Sequence, residues 1–475
     1  MSFQSFSFLA FLVVTLAVCL TVGRRNRAAG MLLLAVAGVV FYVSGGGWKS
    51  FYVLFVGSGI TLGMVRLMQT EQNEKKRRRA FTAGVLAHVL ILVLVKYSEF
   101  LTGGAMKGFF VPLGISFFTF QQVWLLKEVY TGQFRLESQW KLFLQSFFFP
   151  CVTSGPILRP GDFYPQLEGE TFLRPDGQDI AAGIYAICCG TAKKVLLADP
   201  LGGVVNNGWS RIADLSAPAA WMVILAYTLQ LYLDFSGYCD IAAGCARLLG
   251  LRLPVNFDSP YRALSVTGFW KRWHMTLTTF LRECVYFPLG GSRKGTARAY
   301  LNILIVFLIS GFWHGAGWTF IVWGLLHGLA QVVERALGEK RNILPKWLQW
   351  ILTFAFINLA WVFFRAPDLA SALAVLNAAV SGGLAMPQAW LMQGVLSKEM
   401  GAVQLLLPAL KQGLPRGLAV VLFGGGLLAS LPAGNTIRRM EEFRPTFWRA
   451  AALCVLTAWS ILSFNGVATF IYSNF

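Results

Sequence analysis

The stretch that organises this chain reads GFWKRWHMTLTTFLRECVYFPLGG at 268–291, SRKGTARA at 292–299, FWHGAGW at 312–318 and WGLLHG at 323–328. Three of the four histidines lie in it, namely His274, His314 and His327. Titratable side chains are costly in a bilayer and usually face an interior path or site. Because a histidine can gain or lose a proton near neutral pH, we expect the chemistry of the protein in this stretch.

The composition surrounding this stretch is that of a membrane protein. The chain has 475 residues, of which 56% are hydrophobic and 13% charged, with a mean hydropathy of +0.58. In a typical soluble domain, about a quarter of the residues are charged. We therefore predict an all-α polytopic membrane protein with about 11–13 transmembrane or re-entrant helices, since each span takes roughly 20 apolar residues.

The apolar runs predict spans near residues 5–22, 29–47, 50–68, 80–101, 108–130, 140–157, 180–198, 218–236, 299–313, 317–333, 346–364, 417–432 and 449–472. Residues 159–178 and 383–412 are rich in proline, glycine and polar groups, which predicts surface segments. The basic flank of the first run follows it, which favours a retained first helix with the N-terminus outside.

The net charge of +19 comes largely from short basic clusters between apolar runs. Cytoplasmic loops of membrane proteins collect lysine and arginine, so topology explains these clusters. Nucleic-acid binding is disfavoured because no soluble basic domain is present to carry it.

His314 is predicted to lie deep in the bilayer at a break between two helices. About 14 apolar residues separate the basic link from His314, and at 1.5 Å per residue they span ~21 Å of a ~30 Å hydrocarbon core. Gly315-Ala316-Gly317 then loosens the helix. Broken backbone at that depth is tolerated when it is buried in protein or lines a wet cavity. The alternative is a packing histidine bonded to a carbonyl.

The other histidines lie in different surroundings. His274 belongs to Ser265–Tyr286, which is too charged for a lipid-exposed span and is predicted to be an interfacial or re-entrant amphipathic helix. His327 follows His314 by thirteen residues and need not share its face, so we predict a structural or supporting role. His88 lies in an apolar run and is predicted to be packed or bonded within the bundle.

Two carboxylates, Asp234 and Asp240, end an apolar run together with Tyr238. They indicate either the wall of a polar pocket or an ion pair with Arg247 or Arg272 that fixes helix packing, and the ion pair is the favoured interpretation. No GxSxG, P-loop, HExxH or GxGxxG pattern with the required context occurs, so we expect neither ATP hydrolysis nor a redox cofactor nor a metal.

The ordered set DFSGY, NFDSPY, GFWKRWHMTL, LRECVYFPLGGSRKG and WHGAGWTFIVWGLLHG resembles the membrane-bound O-acyltransferase (MBOAT) family, in particular the branch of the alginate O-acetyltransferases. VPLGISFFTFQQVWLLKEVY and FFFPCVTSGPILRP resemble the same branch. The resemblance predicts one integral-membrane domain over 1–475, with a core at 40–365 and C-terminal spans at 417–475. Glu283, Cys284 and the sequence Lys127-Glu128-Val129-Tyr130 depart from commoner family forms, which puts in question the acceptor or partner that the protein uses.

The resemblance implies a buried tunnel in the plasma (inner) membrane, with His314 matching the catalytic histidine and His274 the second functional histidine. Predicted substrate contacts around them are Arg272, Trp273, Arg282, Trp313, Asp234 and Tyr238. His314 is expected to deprotonate an acceptor hydroxyl that attacks an acetyl thioester, with His274 orienting the donor or steadying the oxyanion. An acetyl-histidine intermediate is the alternative.

The resemblance further implies cytoplasmic acetyl-CoA as donor, an extracytoplasmic polysaccharide such as alginate as final acceptor, and a separate serine hydrolase-like partner that finishes the transfer. Two other classes remain open from the residues. One is acyl transfer to peptidoglycan, teichoic acid or lipid; the other is a non-enzymatic transporter or export scaffold, which would also use broken helices at mid-depth.

Overall fold

The computed structural model describes residues 1, 3–104, 110–406, 414–431, 435–464 and 470–471, and the regular secondary structure within them is helical throughout. The α-helices in chain order are α1 (Phe6–Arg25), α2 (Arg27–Thr70), α3 (Glu74–Leu92), α4 (Ser98–Leu101), α5 (Ile115–Tyr130), α6 (Gln139–Ser146), α7 (Pro160–Phe163), α8 (Gly177–Ala192), α9 (Asp199–Ser210), α10 (Ala217–Leu248), α11 (Val266–Trp270), α12 (Met275–Leu281), α13 (Thr296–His314), α14 (Trp318–Leu337), α15 (Lys346–Arg365), α16 (Leu369–Ser381), α17 (Ser397–Leu406), α18 (Leu414–Ser430), α19 (Thr436–Glu441) and α20 (Phe447–Leu462). Three π-helical turns lie at Val93–Tyr97, Lys193–Ala198 and Arg282–Tyr286. Short 3-10 turns lie at Tyr164–Leu167, Ile212–Asp214, Pro260–Arg262, Gly338–Ile343 and Ala389–Met392.

Eight helical segments of the described chain are long and apolar enough to cross a bilayer. They are Phe6–Arg25, Arg27–Thr70, Glu74–Leu101, Gly177–Ser210, Ala217–Leu248, Thr296–His314, Trp318–Arg341 and Lys346–Arg365. Shorter apolar helices lie at Leu369–Ser381, Arg416–Ser430 and Phe447–Leu462. The predicted all-α polytopic membrane fold is therefore confirmed.

The two predicted spans 29–47 and 50–68 are the two arms of α2. This helix has 44 residues and is kinked at Gly47, whose φ of 72° and ψ of 170° are not helical. A straight helix of that length would measure about 66 Å, twice the hydrocarbon core. The kink lets one helix supply both predicted arms, because glycine adopts positive φ without a steric penalty.

The predicted spans 108–130 and 140–157 are wrong in length. Helix α5 begins at Ile115, after the left-handed Gly114, and has only 16 residues. Helix α6 ends at Ser146, and non-helical turns occupy 147–155. Pro150 and Pro156 lack the N–H groups that a continued helix needs, so the apolar run there fills the core as irregular chain.

Some sequence predictions fall on residues outside the described part of the chain. These are 108–109 of one predicted span, 407–412 of a predicted surface segment, and 432, 465–469 and 472 of the C-terminal spans.

Helix α10 lies at the centre of the molecule, with most of its side chains buried. It packs closely on α8 through glycines. A Cβ on Gly190 would lie 2.6 Å from the Gly237 carbonyl oxygen, and one on Gly244 would lie 2.6 Å from that of Gly183. Small residues at such positions let two backbones approach in a membrane, where packing replaces the hydrophobic drive for helix association. The buried carboxylates of α10 are thereby held against the bases at the end of α8.

Candidate active site

His314 is the last residue of α13, which forms an antiparallel hairpin with α14. The chain leaves helical geometry at Gly315 and resumes it after Gly317. Gly311 and Gly324 keep the two helices in contact, since a Cβ on either would lie within 2.4 Å of a backbone carbonyl oxygen of the other helix. The predicted break directly after His314 is confirmed. Its depth in a bilayer stays a prediction.

The His314 side chain is enclosed by aromatic rings. Its exposed fraction is 2%, and its ring centroid lies 4.8 Å from that of Trp313 and 5.1 Å from those of Trp323 and Phe364. Such an enclosure fixes the imidazole in one orientation and keeps bulk water from it.

Two cavities lie on opposite sides of His314 along the hairpin. The smaller one, about 250 Å³, is lined by Ile303 and Ser310 of α13 and by Arg335 near the end of α14. The larger one, about 810 Å³, is lined by Ala316 and Gly317 of the break and by the start of α14. In the chain, His314 lies between Ser310, which lines the smaller cavity, and Ala316, which lines the larger one, and its own side chain lines neither.

The larger cavity has a polar lining. Lys194, Asp199 and Asn206 contribute to its wall, together with Tyr227 and Gln230. Within the described chain, the Tyr227 hydroxyl and the Gln230 Oε1 atom are buried and have no hydrogen-bond partner. Buried polar atoms normally have partners, so these two are suited to a polar ligand.

His274 lies at the junction between α11 and α12 and is completely buried. Its φ of 44° is left-handed, which is uncommon for a residue with a side chain and often marks a functional constraint. The predicted amphipathic helix Ser265–Tyr286 is wrong in form: the chain there makes two short helices and a π-helical turn.

The hydrogen bond of His274 fixes its tautomer. Nδ1 lies 3.2 Å from the Asn256 Oδ1 atom, which also accepts from the backbone N–H and hydroxyl of Thr276. Because that amide oxygen can only accept, His274 donates through Nδ1, and the lone pair of the neutral ring is on Nε2. The His274 ring centroid lies 6.1 Å from that of Trp313, so both predicted functional histidines lie beside the same indole.

His327 supports the site from the next turns of α14. Its Nδ1 atom accepts a hydrogen bond of 3.1 Å from the Trp270 indole. Its ring lies 4.9 Å from Trp323, whose ring also contacts His314. The predicted supporting role is confirmed in this geometric sense. His88 is bonded to Thr61 at 2.7 Å, as expected for a histidine packed within the bundle.

The last three carbonyl groups of α13 are bonded by two residues that the sequence analysis did not single out. The single proton of the Tyr97 hydroxyl is shared between the oxygens of Phe312 (2.5 Å) and Trp313 (3.2 Å). The Lys96 ammonium donates to those of Trp313 (2.7 Å) and His314 (3.3 Å). The signal in the sequence was a lysine in the otherwise apolar run before Tyr97.

The predicted substrate residues of 268–291 are not all at the histidines. Trp273 is buried among aromatic rings, with its own ring 5.0 Å from those of Phe257 and Trp361. Arg272 is partly exposed and pairs with Asp258 at 2.8 Å. Arg282 lines the smaller cavity. Of these three, Arg282 has the placement that a ligand could reach.

Trp313 is the predicted substrate residue whose ring lies near both His274 and His314. Its indole donates to the Ser116 carbonyl at 3.2 Å and stacks on Phe120 with the ring centroids 5.0 Å apart. This bonding holds the indole plane, and with it the spacing of His274 and His314.

The carboxylates of α10 form ion pairs, as favoured, but with other partners than predicted. Asp234 pairs with Lys194 at 2.6 Å and Asp240 with Lys193 at 2.7 Å. Arg247 instead pairs with Asp179. The close approach of α8 to α10 decides this, because it places the two lysines beside the carboxylates. The Tyr238 hydroxyl is bonded internally, to Thr153 Oγ1 at 2.7 Å.

Three of the residues that depart from commoner family forms, Lys127, Glu128 and Glu283, share one ion cluster with Arg159. Lys127 pairs with Glu283 at 3.2 Å, and Arg159 pairs with Glu128 at 2.5 Å and with Glu283 at 3.7 Å. The hydrogen bond to Glu128, aided by the charges of Glu128 and Glu283, raises the pKa of the Arg159 guanidinium. The cluster ties α5 to the segment after α12. Among the described residues, no group of three or more histidine, cysteine or acidic side chains is arranged to hold a metal ion.

A helical membrane bundle with buried histidines at a broken hairpin fits the comparison with known proteins. The model of the membrane-bound O-acyltransferase family matches residues 72–369, more than half of the chain. The protein belongs to this family, and it is a multi-pass membrane O-acyltransferase. Family membership excludes the transporter or export scaffold as its primary class.

Individual relatives act on different polymers. The chain is 40% identical over 397 residues to the peptidoglycan O-acetyltransferase of Helicobacter pylori, covering 75% of each chain. It is 35% identical over 405 residues to the probable alginate O-acetylase AlgI of Pseudomonas aeruginosa, covering 81% of this chain and 75% of the relative. It is 27% identical over 306 residues to the teichoic acid D-alanyltransferase of Bacillus subtilis, covering 60% of this chain and 77% of the relative.

Proposed function

We propose that this protein moves an acetyl group from a cytoplasmic thioester, acetyl-CoA, across the plasma (inner) membrane for O-acetylation of an extracytoplasmic polysaccharide. The observation that carries the proposal is the placement of His314 between two cavities of different character. An acyl donor and a hydroxyl acceptor need to reach one base from opposite sides of the membrane. A histidine with a cavity on either side would allow each of them to approach through its own cavity.

The smaller cavity is the proposed donor side. It extends toward the basic link, whose Arg293 and Lys294 would attract the phosphates of CoA if the link is cytoplasmic as predicted. Its volume of about 250 Å³ is below the roughly 300–1,000 Å³ of pockets for drug-sized ligands. That size favours a short acyl group over a long chain.

The larger cavity is the proposed acceptor side. Its buried Tyr227 hydroxyl and Gln230 amide oxygen offer hydrogen bonds to a hydroxyl-bearing molecule. In this scheme the acceptor is either a sugar hydroxyl or a hydroxyl on a serine hydrolase-like partner that carries the acetyl group onward to the polymer.

In the proposed reaction, His314 takes the proton of the acceptor hydroxyl, and the oxygen of that hydroxyl attacks the thioester carbonyl. The new C–O bond forms, the C–S bond breaks, and the CoA thiolate leaves and is protonated. General base catalysis of this kind contributes about 10²–10⁴-fold. The Nε2 side of His274, across the Trp313 indole, is the proposed place for steadying the donor or the oxyanion.

A second candidate acceptor is peptidoglycan, favoured by the 40% identity to a peptidoglycan O-acetyltransferase. The chemistry at His314 is the same in both cases, so the two candidates differ only in the hydroxyl that receives the acetyl group.

The test is the acetyl ester content of surface polysaccharide and of purified peptidoglycan in cells that carry His314→Ala. His88→Ala is the matched control, because His88 is equally buried but bonded to Thr61. We expect ester to disappear from one polymer in His314→Ala alone, at equal membrane abundance of the variants, and that polymer is the acceptor. Unchanged ester in both polymers would refute the role of His314.

A further inference from the structure

We propose that Lys96 and Tyr97 are positioning residues that hold the backbone of His314 in its reactive place. The inference rests on the proposed function, because it concerns the same histidine. It adds two residues from a different helix, neither of which has a side chain in contact with the cavities on either side of His314.

The argument begins with the backbone of α13. The last four carbonyl groups of an α-helix have no partner within the helix. Here the Gly311 oxygen accepts from the Gly315 N–H at 3.4 Å. The oxygens of residues 312, 313 and 314 accept from Tyr97 and Lys96 in four contacts of 2.5–3.3 Å, two of which share the single proton of the Tyr97 hydroxyl. The last three carbonyl groups of the helix are thus capped by two neighbouring residues.

The same cap also connects the end of α13 to Ser116 of α5 and to the Trp313 indole. The Lys96 ammonium gives its third hydrogen bond to the Ser116 hydroxyl at 3.1 Å. The backbone oxygen of Ser116 accepts from the Trp313 indole. Lys96, Ser116 and Trp313 therefore join α13, α5 and the π-helical turn Val93–Tyr97 in one hydrogen-bonded unit. Both the backbone of His314 and the indole between the histidines depend on it.

The residue types fit a functional role better than a packing role. A lysine in a membrane helix is expensive and marks function by default. If the carbonyl groups of the helix end needed only hydrogen-bond donors, water or a hydroxyl group would be enough, and a lysine would not be required. Lys96 and Tyr97 also lie on a π-helical turn, a form that is common at functional sites. The Tyr97 ring stacks on Phe312 with the centroids 4.0 Å apart, so the tyrosine is fixed without its hydroxyl.

That stacking makes Tyr97→Phe the sharper variant, since it removes the hydroxyl that bonds the Phe312 and Trp313 oxygens and keeps the ring contact. Lys96→Met removes the other donors at similar side-chain length. A displacement of about 1 Å in a reacting group lowers the rate by roughly 100-fold. We expect kcat to fall about 10-fold in Tyr97→Phe and about 100-fold in Lys96→Met, with the KM for acetyl-CoA changed less than about 2-fold.

The assay follows transfer of radiolabelled acetyl from acetyl-CoA in membranes of the producing cells, with their own acceptor. Tyr164→Phe is the control, because that hydroxyl is also buried but bonds Gln145. Thermal stability and membrane abundance are measured for every variant. A merely structural role would lower stability in Tyr97→Phe and Tyr164→Phe alike and leave kcat per folded molecule unchanged, which would overturn the inference.

His314→Ala is included to separate the two proposals. Loss of transfer in His314→Ala together with full kcat in Tyr97→Phe and Lys96→Met refutes the positioning role and leaves the proposed function intact. Full transfer in His314→Ala refutes the proposed function itself. If Lys96→Met does not fold, Tyr97→Phe alone decides the inference.

Discussion

Replacing Lys194 with methionine removes the base that pairs with both carboxylates of an ion cluster between α8 and α10, Asp199 and Asp234. The Lys194 ammonium lies 2.6 Å from Asp234 and 2.6 Å from Asp199. The exposed fractions of the side chains are 2% for Lys194, 1% for Asp234 and 28% for Asp199. Once the ammonium is lost, Asp234 stays buried near the Asp199 carboxylate, and the donor that remains to it among the described residues is the Ile471 N–H at 2.8 Å.

Removing one partner of a buried ion pair destabilises a protein by about 3–5 kcal/mol, because the remaining charge is uncompensated. At roughly 2 °C per kcal/mol, we expect the thermal midpoint of Lys194→Met to fall by roughly 6–10 °C. Asp234→Asn is expected to lower the free energy of unfolding by only about 1–2 kcal/mol. The amide can still accept from Lys194, which keeps its pair with Asp199.

The measurement is thermal unfolding of the purified variants in detergent micelles, with exposed Lys346→Met as the control for loss of one charge. The double variant Lys194→Met with Asp234→Asn should recover part of the loss. The reasoning is refuted if Asp234→Asn is the more destabilised single variant, or if Lys194→Met unfolds with the control. The first of these results would mean that Asp234 has a role beyond the ion cluster. The substrate contact predicted for Asp234 from the sequence would be such a role.

Three further results are expected. Gly311→Ala places a Cβ 2.3 Å from the Phe320 carbonyl oxygen and should destabilise the protein by about 1–3 kcal/mol, whereas Gly63→Ala, with nothing within 4 Å, should be neutral or stabilising in the same unfolding assay. Ile303→Ala frees the space of roughly three carbon atoms in the smaller cavity and should raise the rate with butyryl-CoA relative to acetyl-CoA; an unchanged ratio would argue against this cavity as the donor side. Tyr238→Phe breaks a buried hydroxyl pair and should lower the free energy of unfolding by about 1–2 kcal/mol without changing KM for the acceptor, and a raised KM would instead support substrate contact.

The sequence predicted the long spans because their signal is local. A run of apolar residues of membrane length specifies a helix whatever surrounds it, since each backbone group in lipid needs an internal partner. For that reason α15 matches its prediction at 346–364 to within one residue. The break after His314 was equally local, because three consecutive small residues follow it. The prediction failed at 140–157, where apolar residues face protein and irregular chain is tolerated.

The candidate site residues were selected by residue type, whereas their partners could not be predicted. His314 and Asp234 stand out in apolar runs of the sequence, and His274 stands out beside bulky aromatic residues in a more charged stretch. Which base lies beside Asp234 depends on the approach of α8 to α10, about 40 residues earlier in the chain. The left-handed backbone of His274 depends on Asn256 and the short helices around it. Neither relation has a fixed sequence spacing.

Composition and the order of motifs alone predicted a polytopic membrane protein, which is confirmed, and an expected site of chemistry in 268–328, which stays a prediction. Only the tertiary structure decided that Lys96 and Tyr97 cap the helix that ends at His314, more than 200 residues later in the chain. The physical reason is that helix formation and membrane insertion depend on neighbours along the chain. A hydrogen bond between a side chain and a distant helix end depends on how the helices pack.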